Sequence, residues 1–116
     1  MSDPRTDLAP HGQAIGRAEV LRRRDELARE FAELQFDLGG LAYEMAVRDH
    51  WRLDVLVRRA ARLQDIDSQL WGAERLAHSD TGEAGGTCPA CGGLYARGAA
   101  FCSHCGAALV VTSISS

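Results

Sequence analysis

The chain has 116 residues, 46% of them apolar, 25% charged and 6% aromatic, with a formal net charge of -3 and a pI near 5.7. That length allows one ordinary domain or two small ones and excludes a large enzyme, and the acidic balance argues against a protein built to coat nucleic acid. All thirteen basic side chains are arginine, a usage read as compositional bias, although arginine does favour bidentate pairing with carboxylates. Nothing resembles a secretory signal or a membrane span. The longest apolar stretch, residues 107–111, is about a quarter of the ~20 residues a spanning helix needs. A soluble, cytoplasmic protein is the expectation.

Residues 1–16 carry Pro4 and Pro10 with little apolar periodicity and read as a flexible N-terminal arm. From 17 to 78 the composition is helical, rich in Ala, Leu, Arg and Glu, without proline and with glycine only at Gly39, Gly40 and Gly72. Val20, Leu27, Phe31, Leu34, Leu38, Leu41 and Met45 follow one another at intervals of seven, four, three, four, three and four. This is the a/d seam of a coiled coil, interrupted only by Arg24. Leu53, Leu56, Ala60, Leu63, Asp67, Leu70, Glu74 and Ala77 make a second seam.

The two seams are out of register by one residue, a rotation of roughly 100°. The helix must therefore break, and the break is expected near 48–51, with helix 1 over about 17–48 and helix 2 over about 50–78. Asp49 is the expected N-cap of the second helix. The rival break at Gly39 and Gly40 is set aside, because the seam keeps its phase through that pair and because a break at 48–51 gives two arms of similar length, ~40–45 Å each. Folding about position 49 sets Met45 against Leu53, Leu34 against Leu63 and Leu27 against Leu70, and brings Arg24 to Glu74. The fold class is thus expected to be mainly α, an antiparallel helical hairpin of coiled-coil type.

Opposite its seam, the first helix carries Ala32, Phe36, Gly39, Tyr43 and Ala46, with Gly40 and Val47 beside them. A two-helix hairpin covers only one side of each helix, so this second apolar face needs a further partner. A second copy of the hairpin, making a homodimeric four-helix bundle, is the simplest supplier. The chain's own cysteine-rich module or N-terminal arm, or a different protein, are the alternatives.

Residues 79–87, SDTGEAGGT, read as a flexible linker. Beyond it Cys88 and Cys91 form one CxxC pair and Cys102 and Cys105 another, ten residues apart, and residues 112–116 read as a tail. Four cysteines could make two disulfides in a secreted chain, but with no export signal the spacing reads as metal ligation. Gly92 and Gly106 follow the two pairs and tolerate the left-handed backbone that turns N–H groups toward the sulfurs. Four soft thiolates in tetrahedral array select zinc or iron, and one structural Zn²⁺ per chain is expected. His104 is expected to be a solvent-facing spacer, His11, His50 and His78 to be surface or capping residues, and Tyr95 to pack on the module's sheet or dock on the hairpin.

The run from Cys88 through Leu109 resembles the zinc-ribbon family in its CPxCG, in Gly98 and the aromatic Phe101 before the third cysteine, and in CxxCG followed by Leu109. The resemblance implies a small β ribbon over 88–111 in which Cys88, Cys91, Cys102 and Cys105 are the ligands, the intervening residues form a short hairpin, and Phe101 and Leu109 make the minimal core. The whole layout is similar to bacterial zinc-ribbon coiled-coil proteins, whose members act as adaptors or chaperones, although the arms here are shorter.

Three functional classes follow. A binding module would use the hairpin for self-association or for a protein partner. A nucleic-acid-binding regulator would use the arginine face of the second helix, Arg52, Arg58, Arg59 and Arg62, together with the ribbon. An enzyme is not expected: a cage of four thiolates leaves no open position for water, and no nucleophile with its base or glycine-rich phosphate loop is present. No membrane partner and no small-molecule substrate are expected.

Overall fold

The computed structural model describes residues 14–109. Residues 1–13 of the arm read over 1–16, the last two residues of the ribbon and the tail lie outside the described residues. Two long helices, α1 (Arg17–Arg48) and α2 (Leu53–Ala77), pack against each other as an antiparallel hairpin. A small antiparallel sheet follows, of β1 (Gly86–Thr87) and β2 (Leu94–Tyr95), in the register Gly86 to Tyr95 and Thr87 to Leu94. No helix among the described residues is long and apolar enough to cross a membrane.

α1 runs through Gly39 and Gly40 without a break because its seam keeps facing α2. Val20, Leu27 and Met45 are buried, and Phe31, Leu34, Leu38 and Leu41 are half-buried between them. The helix ends at Asp49, which lies in the left-handed region at φ 52. There the Asp49 N–H donates to the Ala46 carbonyl at 3.2 Å and the His50 N–H to the Met45 carbonyl at 3.0 Å. Asp49 therefore closes the first helix and does not cap the second. Its short polar side chain tolerates the left-handed backbone that a tight C-terminal turn requires. α2 starts at Leu53 after Arg52, which makes no side-chain cap. The acid of that first turn is Asp54, paired with Arg52 at 3.0 Å and Arg58 at 3.6 Å. The hydrogen bond from Arg52 holds its carboxyl down at about 2.

The α2 seam departs from the sequence reading at four of its positions. Leu63, Leu70 and Ala77 face α1, but the residues between them are Ile66 and Ala73, both buried, while Asp67 and Glu74 are exposed. Sequence spacing of four then three and of three then four both connect Leu63, Leu70 and Ala77. Burying Ile66 and Ala73 gains apolar area, whereas the other choice would desolvate two carboxylates. The expected meeting of Arg24 with Glu74 is accordingly not made, and Arg24 pairs with Asp25 at 3.0 Å. At the hairpin tip Leu53 and Ala60 are also exposed rather than packed.

The base of the hairpin is where the sheet joins it. One cluster of buried residues is Val20, Ala77 and Ala84, and another is Leu27, Ile66 and Ala73, and Leu94 of β2 packs against both. Ile15 and Ala84 exchange backbone hydrogen bonds of 2.8 and 2.9 Å. The stretch read as a linker is thus built into this junction, with Ala84 fully buried and β1 inside it.

Candidate metal centre

The two CxxC segments fold as near copies of each other. In the first, the Cys88 N–H donates to the Gly93 carbonyl and the Gly92 N–H to the Cys88 carbonyl, each at 2.8 Å. In the second, the Cys102 N–H donates to the Ala107 carbonyl at 2.9 Å and the Gly106 N–H to the Cys102 carbonyl at 2.8 Å. Each turn closes through a glycine at positive φ, 79° for Gly92 and 83° for Gly106, a conformation that costs a residue with a Cβ. The turns aim backbone donors at sulfur: Ala90 N–H to Cys88 Sγ at 3.4 Å, Gly93 N–H to Cys91 Sγ at 3.4 Å, and Cys105 N–H to Cys102 Sγ at 3.5 Å.

Facing each other, the turns bring all four sulfurs within 4.8 Å of one another. Cys88 Sγ is 3.6 Å from Cys105 Sγ, and Cys91 Sγ is 3.6 Å from Cys102 Sγ. A disulfide needs ~2.05 Å between sulfurs, so these are not bonded pairs. Four sulfurs at the ~2.3 Å of a Zn–S bond stand ~3.8 Å apart along the edges of their tetrahedron. The donor set therefore fits a tetrahedral metal ion of soft preference, zinc foremost.

Thiols this close cannot all ionise without a cation among them. Burial pushes Cys91 up to about 12. At Cys105 the Ala107 N–H favours the thiolate, but burial and the neighbouring thiols of Cys88 and Cys102 outweigh it and raise the pKa. At Cys88 burial works in the same upward direction but is overcome by the Cys91 and Ala90 N–H groups and the Cys105 thiol, which bring it to about 7. The cluster thus presents one thiol, Cys88, poised to ionise at neutral pH beside Cys91 and Cys105, whose protons are held more tightly.

Around the cluster the structure corrects two expectations. His104 is not a solvent-facing spacer: its ring is half-buried against α2, with Nε2 2.7 Å from Asp65 Oδ1 and Nδ1 3.1 Å from Ser68 Oγ. Phe101 is 64% exposed and Leu109 only half-buried, so the expected minimal core is not a buried one. The module instead borrows the core of the hairpin through Leu94, which sequence reasoning passed over. The signal was there, since Leu94 is the first apolar residue after the Gly92-Gly93 turn. His104→Ala should leave the metal content of the purified chain unchanged and lower its stability by about 0.5–1.5 kcal/mol, read by metal analysis and denaturant unfolding. Loss of the metal in that variant would put His104 in the ligand set.

The other residues singled out in the sequence lie away from this centre. Ala32, Phe36, Gly39, Gly40, Tyr43, Ala46 and Val47 form an exposed strip on α1, with Phe36 81%, Tyr43 69% and Val47 62% exposed. The cysteine module does not cover it. Arg52 and Arg58 share Asp54, and Arg62 pairs with Glu30 of α1 at 2.8 Å, which leaves Arg59 as the member of that group without an ion pair among the described residues. Comparison with protein families, curated proteins and solved structures returned no match to this chain.

Proposed function

We propose that this is a non-enzymatic, cytoplasmic zinc-ribbon protein in which one Zn²⁺, held by Cys88, Cys91, Cys102 and Cys105, serves as scaffolding, and in which the helical hairpin recognises protein, first of all a second copy of itself. The mutual approach of the four sulfurs carries the metal reading. Four protein ligands complete a tetrahedral shell, and a complete shell is the arrangement of structural rather than catalytic zinc. Support for recognition by the hairpin comes from the strip on α1, where two large rings flank small residues that let another backbone approach closely. The nucleic-acid reading finds little in its favour, because three of its four arginines already neutralise carboxylates of their own chain.

Light scattering on the purified chain, with and without Phe36→Glu, tests the self-association. The unmodified chain is expected to run as a dimer and the variant as a monomer. Each buried Phe contributes about 1.5–3 kcal/mol, counted twice across a twofold axis, so the variant should associate about two to four orders of magnitude more weakly. A monomer in both cases overturns the dimer.

A further inference from the structure

A groove runs between the C-terminal half of α2 and the cysteine module. Its two halves, about 270 and 210 Å³, share Gly72, Arg75, Leu94 and Ser103. Each half is below the ~300 Å³ at which small-molecule sites usually begin, a size suited to side chains rather than to a cofactor. Trp71 borders one half and Phe101 the other, and these rings are 61% and 64% exposed. Arg75 stacks on Trp71, its guanidinium 4.9 Å from the ring centroid. Among the described residues no carboxylate lines either half and Arg75 has no ion-pair partner.

Two backbone features point the same way. Gly72 sits in the interior of a helix, where glycine costs about 0.5–1 kcal/mol relative to alanine, yet a Cβ placed there would meet nothing within 4 Å. Packing within the chain does not call for a glycine, and its effect is to keep the groove open where the two halves meet. On the other wall, the residues flanking β1, Gly85 and Cys88, donate to the Tyr95 and Gly93 carbonyls. Strand alternation therefore turns the N–H and C=O of Leu94 toward the edge of β2 that no third strand occupies among the described residues.

We propose that this groove docks an extended segment of a partner protein bearing an acidic residue beside an aromatic or large aliphatic one. The segment adds to the open edge of β2, its carboxylate pairs with Arg75, and its apolar side chain enters beside Gly72 and Leu94. Trp, Tyr, Phe and Arg are the side chains that dominate protein–protein hot spots. Exposed rings also stack on bases, but a nucleic-acid strand needs several cations along its phosphates and the groove supplies one. The inference does not rest on the α1 strip.

The test uses the full chain with its metal in a Trp51→Phe background, so that Trp71 is the sole indole. Its emission is titrated with the acetylated, amidated peptide Asp-Phe-Asp-Leu, its counterpart Lys-Phe-Lys-Leu, and an oligothymidylate. Saturable binding of the acidic peptide is expected, about tenfold or more tighter than the basic one. Arg75→Gln, and separately Gly72→Ala, which fills open space without disturbing the fold, should each weaken it by about tenfold; Phe36→Glu should leave it unchanged. Circular dichroism checks that the variants remain helical. Equal affinity for the two peptides, no saturation by the acidic one, tighter binding of the oligothymidylate, or indifference to both Arg75→Gln and Gly72→Ala overturns the proposal.

Discussion

Cys102→Ser should strip the metal from the purified chain and unfold the cysteine module while leaving most of the helix intact. Binding of a structural zinc ion is worth about 10–16 kcal/mol of apparent free energy at neutral pH in small modules. Among the module's described residues the buried apolar ones are few, Cys88 and Cys102. With so little area to remove from water, the ion has to supply most of what holds the segment together. The damage should reach the hairpin base too, because Ala84 and Leu94 belong to the clusters around Val20 and Leu27. Hydrogen exchange at the base is expected to rise, while the tip around Met45 stays unchanged. Acid should act in the same direction as the mutation. Cys91 and Cys105 have raised pKa values, so they must surrender protons to bind an ion, and falling pH favours the protons. Below about 7 the Cys88 thiol joins them, and the fall in affinity should steepen there by about one further factor of ten per pH unit. Competition with a chelator across pH 6–8 measures this. A Cys102→Ser chain that keeps one ion, or an affinity flat in pH, would remove the four-thiolate assignment.

The parts of the fold legible in the sequence are those in which one residue type leaves no second solution. The α1 seam is such a case, because Leu27, Phe31, Leu34, Leu38, Leu41 and Met45 put a large apolar side chain at every position, whereas the opposite face interrupts its two rings with Gly39, Gly40 and alanines. The paired CxxCG segments are another, since glycine after the second cysteine answers a positive φ seen at both Gly92 and Gly106. Where two solutions share most of their residues, spacing alone did not choose. Leu63, Leu70 and Ala77 fit either phase of α2, and the polarity of Asp67 and Glu74 was the discriminating fact. The role of Asp49 was hidden for a different reason: an aspartate between two helices serves equally as the end of one or the start of the next. The seating of the cysteine module through Leu94, Ala84 and the contact of His104 with Asp65 depends on residues far apart in the chain. No local pattern announces such contacts.

Ile66→Ala should cost about 2–5 kcal/mol, whereas Asp67→Ala, one residue along the same helix, should change stability by no more than about 0.5 kcal/mol. Ile66 is 3% exposed and packs in the cluster of Leu27 and Ala73, with Phe31, Leu34, Leu70 and Leu94 around it. Removing its side chain leaves a cavity whose walls are two rigid helices, which have little freedom to close in. Against the ~5–15 kcal/mol by which small domains are stable, that loss is large. Denaturant unfolding of the two variants measures the contrast, and comparable losses would return the buried phase of α2 to Asp67. The same variant separates the two halves of the molecule. The cluster that holds Ile66 meets the module through Leu94, and the sulfurs of Cys88, Cys91 and Cys102 accept hydrogen bonds from within their own turns. Ile66→Ala should therefore loosen the seating of the module on the hairpin yet keep one metal ion per chain. Cys102→Ser should do the reverse, losing the ion first and the seating as its consequence.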